Sequence, residues 1–167
     1  MIRLAAHTDL PEIKNLLEKA VKVMNEAGNY QWDENYPLLS DFEKDIEEEE
    51  LYSFIINEEV AGVACLSEKE HEEYPEIAWT YEDRAITVKR TAVNPAYQGQ
   101  GIASKLYKHA EKVATEKGLK YIKTDTFEKN KRAQRVFILN DFQYVAERLI
   151  FEKQDKIVYF EKRLGLC

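Results

Sequence analysis

Between Val93 and Ala103 the chain reads Val-Asn-Pro-Ala-Tyr-Gln-Gly-Gln-Gly-Ile-Ala, with Gly99 and Gly101 directly ahead of a helix-forming stretch. A helix start presents backbone N–H groups that lack an intrahelical acceptor, together with a partial positive charge. Glycines at that point let an anion approach the main chain itself. The chemistry on offer is phosphate binding that needs no cationic side chain. A lone GxG is equally compatible with a simple helix-initiating turn. Two other phosphate loops fit worse: the Gly-Lys-Ser/Thr ending of a Walker loop is absent, and the pattern GxGxxG would need glycine where Ser104 stands.

A second set of residues has recognition chemistry. Trp32, Tyr36, Tyr74, Trp79 and Tyr81 fall in segments that read as loops, where aromatic side chains often contact ligands. They lie in or beside an acidic region: residues 33–83 carry 18 acids against Lys44 and Lys69. Residues 105–135 carry 10 bases against Glu111, Glu116, Asp125 and Glu128. The asymmetry predicts a cation site early and an anion site late, with ordinary solvated faces as the bland alternative. His7, His71 and His109 do not cluster with one another or with cysteine, so no metal is expected. Cys65 and Cys167 form no CxxC pattern, which predicts free thiols and a reducing, cytoplasmic setting.

The elements that must position these residues follow from periodicity and punctuation. The 167 residues, 44% of them apolar, predict a single domain over 1–167. Ile2–Ala5 reads as a strand, and Thr8 or Asp9 caps a helix with Ile13, Leu16, Leu17, Val21 and Met24 at helical spacing, ended by Gly28. Ser40 with Glu43 forms a capping-box pattern that opens a second helix. Tyr52–Ile56 and Val60–Leu66 read as a hairpin turned by Asn57-Glu58-Glu59. Residues 68–80 form an irregular acidic connection, and Arg84–Val93 is the next strand. A helix follows from Gly101 to Lys117, then a strand over Lys120–Thr126, a helix over Asn130–Asn140, and a closing pair at Gln143–Phe151 and Ile157–Lys162. The sum is an α/β (α+β) chain with a central mixed sheet of about seven strands flanked by four helices.

No apolar run approaches the ~20 residues that span a bilayer, so no membrane contact is expected. A formal net charge of −7 argues against general nucleic-acid binding.

Gln98-Gly99-Gln100-Gly101-Ile102-Ala103, after a strand ending Val-Asn-Pro, resembles the signature of the GNAT (GCN5-related N-acetyltransferase) superfamily. The likeness extends to Asn130-Lys131-Arg132-Ala133, similar to the family's Asn-x-x-Ala helix, and to Leu139-Asn140-Asp141-Phe142, with Asn140-Asp141 where a glycine is usual. The resemblance implies the GNAT fold and an N-acyltransferase that passes an acetyl group from acetyl-CoA to the amine of a small molecule or peptide. Backbone groups of Thr91, Ala92 and Val93 would pair with pantetheine as an added strand does. Gln98, Gly99, Gln100, Gly101, Ile102 and Ala103, with the Ser104 hydroxyl, would hold the pyrophosphate. Asn130 would bond the pantetheine, and Arg135 and Phe137 would flank the cofactor.

Departures from the family pattern bear on catalysis. Many members place tyrosine where Phe137 stands, and some place glutamate where Thr87 stands; neither residue here titrates usefully. Asp125, Glu82 and Asp83 are then the candidate bases, and Tyr81 and Tyr97 the candidate phenols; positioning alone is the other route to rate. In the resembling fold, Trp32, Tyr36, Trp79 and Tyr81 would border the acceptor, where acidic and aromatic surface suits a cationic amine. Two alternatives stay open: an acyl-CoA-binding or sensing module without transfer, and a protein N-terminal acetyltransferase. The terminal hairpin is a candidate homodimer interface in either case.

Overall fold

Seven strands and four helices make up the described residues of the computed structural model, which cover 1–165. The strands are β1 (Ile2–Leu4), β2 (Leu51–Ile56), β3 (Glu59–Ser67), β4 (Ile86–Val93), β5 (Tyr121–Phe127), β6 (Gln143–Ile150) and β7 (Asp155–Arg163). The helices are α1 (Leu10–Glu26), α2 (Leu39–Glu47), α3 (Ile102–Glu116) and α4 (Lys131–Leu139). The strands form a mixed sheet in the order β1-β2-β3-β4-β5-β7-β6, which matches the architecture expected from the sequence. Strands β4 and β5 are parallel, with Ile86 opposite Ile122 and Thr87 opposite Lys123. The β1–β2, β2–β3, β5–β7 and β6–β7 pairs are antiparallel. The terminal Cys167 lies outside the described residues.

Local chemistry explains most element ends. The β2–β3 hairpin closes on two residues, Asn57 and Glu58, with φ of 50° and 68°, the left-handed pair that a two-residue turn demands. Helix α1 has Pro11 in its first turn and stops before Gly28, whose φ is 83°. The start of α2 differs from expectation. Helix geometry begins at Leu39, and the Asp41 carboxylate, not Glu43, reaches back to accept the Leu38 N–H at 2.7 Å. Ser40 therefore sits inside the first turn. After α4, Asp141 takes φ 64°, adopting the left-handed conformation for which glycine is the usual choice.

Two compact units divide the described chain, one from Met1–Cys65 with Arg90–Leu106, the other from Leu66–Lys89 with the chain from Tyr107 onward. In the first, α1 buries Ile13, Leu16 and Leu17 and α2 buries Phe42 and Ile46. These pack into one cluster with Trp32, Leu51, Val60, Val63, Cys65 and Ala92. The Glu12 carboxylate accepts the Val60 N–H at 2.7 Å, tying α1 to the start of β3. The second unit is built on aromatic contacts. Phe137, 1% exposed, meets the rings of Tyr107, Phe142 and Phe160 at centroid distances of 5.3, 6.1 and 5.0 Å. Among the described residues no helix is long and apolar enough to cross a membrane.

Gly62, in the middle of β3, permits close packing in the first unit. A Cβ there would stand 2.8 Å from the Ile102 side chain and 3.2 Å from the Ala92 carbonyl. Gly62→Ala is expected to lower stability by about 1–3 kcal/mol, through displacement of the start of α3. Chemical denaturation checks this; an unchanged midpoint would mean that Ile102 moves aside at no cost.

Candidate functional site

In the first unit the end of β4 leads into the glycine segment. Asn94 donates its N–H to the Ala61 carbonyl at 2.9 Å, and its side-chain oxygen accepts from Ala96 N–H at 3.0 Å. One 3-10 turn, Pro95–Tyr97, follows, and Gln98 returns to extended backbone. Gly99 and Gly101 then adopt φ of 83° and 73°, and a Cβ on either would meet nothing within 4 Å. Glycine is demanded here by main-chain conformation and not by crowding, and the space beside both residues stays open. Ile102, 2% exposed, anchors the first turn of α3. The residues Gln98–Gly101 are exposed, while Ala103 and Ser104 are half-buried. Upstream, Ala92 is buried and Thr91 and Val93 are half-buried. The Thr91 hydroxyl has no hydrogen-bond partner among the described residues.

The remaining cofactor candidates lie in the second unit. Asn130 caps α4, its Oδ1 accepting the Ala133 N–H at 3.1 Å. Arg135 is exposed. Phe137 is enclosed by the ring cluster described above, so it contributes volume and no proton.

The three candidate carboxylates have different surroundings. Glu82 is exposed, and Asp83 is exposed and paired with Arg163. Asp125, on β5, is 12% exposed, and the Tyr74 hydroxyl donates to its Oδ2 at 2.6 Å. Burial raises the Asp125 pKa from its ordinary 3.8 to about 6; the Tyr74 bond and Lys89 work against the rise, and Glu73 adds to it. Burial and the neighbouring Asp125 charge likewise push the Tyr74 hydroxyl well above its usual range. His71 places Nε2 at 3.9 Å from Asp125 Oδ2 and its ring against Tyr74.

The aromatic candidates separate. In the first unit Trp32 is 7% exposed and belongs to the core, while Tyr36 is exposed and its hydroxyl accepts from Arg90 Nη1 at 3.1 Å. In the second, Trp79 donates its ring N–H to the Tyr74 carbonyl at 2.8 Å and packs against Tyr159. Tyr81 stacks edge-on to Tyr121, beneath the Arg163 guanidinium. Tyr97, one of the candidate phenols, donates to Glu59 at 2.5 Å in the first unit. Around Asp125 the fold therefore gathers Tyr74, Trp79, Tyr159 and His71.

Two features escaped the sequence reading. In sequence Tyr74 reads only as a loop aromatic, and its bond to Asp125 spans 51 residues and has no linear signature. Arg90, inside β4, has φ 49°, uncommon for a non-glycine residue and costing about 1–2 kcal/mol. Its guanidinium grips Asp45 with two bonds, 2.7 and 2.6 Å, both partners largely buried. Burial weakens the Arg90 charge, yet the Asp45 carboxylate and the Tyr36 hydroxyl more than offset that and its pKa is raised.

Comparison with known proteins places these features in context. A model of the Acetyltransferase (GNAT) family matches residues 14–140. Among curated proteins, none matches the chain. A Staphylococcus aureus Mu50 structure, provisionally described as an acetyltransferase, is 30% identical over 99% of each chain with TM-score 0.76. An acetyltransferase of the GNAT family from Streptococcus agalactiae 2603 is 23% identical, covering 99% of this chain and 96% of that one, with TM-score 0.86. The Salmonella typhimurium protein YncA, solved with its cofactor acetyl-CoA, is 16% identical over 100% of this chain and 95% of its own, with TM-score 0.74.

The raised Asp125 pKa has a stability consequence with a defined sign. The fold favours the protonated carboxyl, a preference in full force below about pH 4 and lost as pH rises through about 6. Asp125→Asn should therefore stabilise the protein at pH 8 more than at pH 4, by about 1–3 kcal/mol. Thermal unfolding at the two pH values measures the difference; equal shifts would rule out burial as the origin.

Proposed function

Since the chain belongs to the Acetyltransferase (GNAT) family, we propose that it is an N-acetyltransferase acting on a primary amine with acetyl-CoA as co-substrate, through direct attack in a ternary complex. The observation that carries this reading is the Gly99–Gly101 segment, left-handed at both glycines and open in front, at the start of a 15-residue helix. Such a segment fits a diphosphate, whose oxygens would accept from main-chain N–H groups between Gly99 and Ala103, with Ser104 beside them. Thr91 adds a buried hydroxyl without a partner in the same unit, on the strand assigned to pantetheine. The relative solved with acetyl-CoA supports the choice of co-substrate.

Acetyl-CoA supplies the acetyl group as an activated thioester. The protein's own task is proton handling. An amine of pKa near ~10 arrives protonated and must lose a proton before its nitrogen can attack. Asp125 takes that proton. With its pKa held near 6 it is ionised at neutral pH and a better base than a solvated carboxylate. Tyr74 orients it through the 2.6 Å bond. As the carbon–sulfur bond breaks, the nitrogen gives up a second proton and the thiolate gains one; the proton held by Asp125 passes to water, so one proton is released per ammonium acetylated. Glu82 is exposed, and Asp83 is exposed and joined to Arg163.

Two measurements test this. Calorimetry with coenzyme A should give saturable binding, weakened about tenfold or more in Gly101→Val, where a branched residue must adopt φ 73°. Thiol release from acetyl-CoA with an amine panel should show kcat/KM falling below about pH 6, and Asp125→Asn should cut kcat by about 10²–10⁴-fold. Coenzyme A binding without thiol release from any amine would instead favour the sensing module, the reading that Phe137 and Thr87 suggest.

A further inference from the structure

Within the second unit lies a cleft of about 350 Å³ that none of the roles above uses. Its floor includes Tyr159, which faces Asp125 in the β5–β7 register and therefore projects from the same side of the sheet. The Tyr159 side chain is fully buried, yet its hydroxyl has no hydrogen-bond partner among the described residues. Leaving a buried hydroxyl unpaired costs about 1–3 kcal/mol, a cost a bound ligand would remove. The charges that act on this hydroxyl are Glu73, Asp125, Arg148 and Glu76, in that order, and three of these four residues line the cleft.

The rim is acidic. Glu72, Glu73 and Glu76 line it, and Arg148 is the one cation among the lining residues, joined to Glu76 at 3.2 Å. The carboxylates of Glu72 and Glu73 line the same rim. Burial raises the Glu73 pKa; its own backbone N–H and Arg148 work against the rise, and Glu72 and Glu76 add to it. Ile150 and Ile157 also line the cleft and give it apolar surface. Acids, methyl groups and an acceptor hydroxyl in one cleft match a short alkyl chain that ends in an ammonium group.

We infer that this cleft holds a second ammonium of the acceptor, which makes the preferred substrate an α,ω-diamine or longer polyamine in place of a monoamine. One nitrogen is presented at Asp125. The other donates to Glu72, Glu73 and the Tyr159 oxygen, with its methylenes against Ile150 and Ile157. The chemistry rests on the N-acetyltransferase reading; the binding does not.

The experiment therefore reads binding first. Calorimetry on the whole chain would compare 1,4-diaminobutane with n-butylamine, in wild type, in the double variant Glu72→Gln/Glu73→Gln and in Tyr159→Phe. The diamine should bind wild type about tenfold or more tightly than the monoamine, and the double variant should lose most of that preference. Tyr159→Phe should weaken diamine binding about threefold to tenfold while leaving the unfolding temperature level or higher, since an unpaired hydroxyl has been removed. A purely packing role for Tyr159 would not give that combination. Equal affinity for the two amines, no binding of either, or a preference that survives the double variant would overturn the inference. Thiol release with the same amines separates it from the enzymatic reading. Diamine seated in the cleft with no release from any amine defeats the transferase and spares the cleft assignment; equal turnover of both amines does the reverse.

Discussion

A carboxylate withdrawn from water needs hydrogen-bond donors, and in the second unit Asp125 obtains one from Tyr74. Much of that unit follows from this requirement. To reach β5, Tyr74 must be carried inward by the connection after β3, and a single 3-10 turn over Tyr74–Glu76 does so. Once there its ring is enclosed by His71, Trp79 and Tyr159, and its carbonyl receives the Trp79 ring N–H. The acidic residues on either side of Tyr74 are thereby fixed at the rim of a cleft. One buried acid thus orders a loop, gathers the aromatic rings and determines where the negative charge sits.

A different bargain holds in the first unit. Arg90 accepts an unfavourable backbone conformation inside β4, and the twofold bond to Asp45 of α2 compensates. The pair links the strand that precedes the glycine segment to a helix of the same core. Tyr36 joins it from the aromatic loop. A main chain that must hold Gly99 and Gly101 in left-handed geometry benefits from rigid support upstream, which Arg90 and the bond from Asn94 to Ala61 provide.

The absence of tyrosine at position 137 also has a structural side. Phe137 fills a pocket made by Tyr107, Phe142 and Phe160, and the Tyr107 hydroxyl lies 3.1 Å from Thr124 Oγ1, whose other contact is the Val88 carbonyl. Phe137 thus offers no titratable proton, and the proposed base, Asp125, lies on a different element of the same unit.

Local rules determined a good deal by themselves. The 3.6-residue spacing of α1, the left-handed end at Gly28, the hairpin at Asn57-Glu58 and the paired glycines before α3 are all short-range consequences of side-chain type, and each was legible in the sequence along with the mixed sheet. The start of α2 was misplaced because Asp41 and Glu43 offer nearly equal caps and only the observed geometry selects Asp41. What a linear reading could not supply is the partner of each buried charge. Trp32 and Trp79 look alike in sequence, yet one packs in a core and the other packs on Tyr74, the residue that donates to a buried acid. Asp125 was one of three candidate carboxylates, and desolvation distinguishes it, an effect that depends on residues far away in the chain. Pairings such as Tyr74 with Asp125 and Arg90 with Asp45 exist only after the strands have found their register, because burial and charge are properties of the assembled neighbourhood and not of the residue.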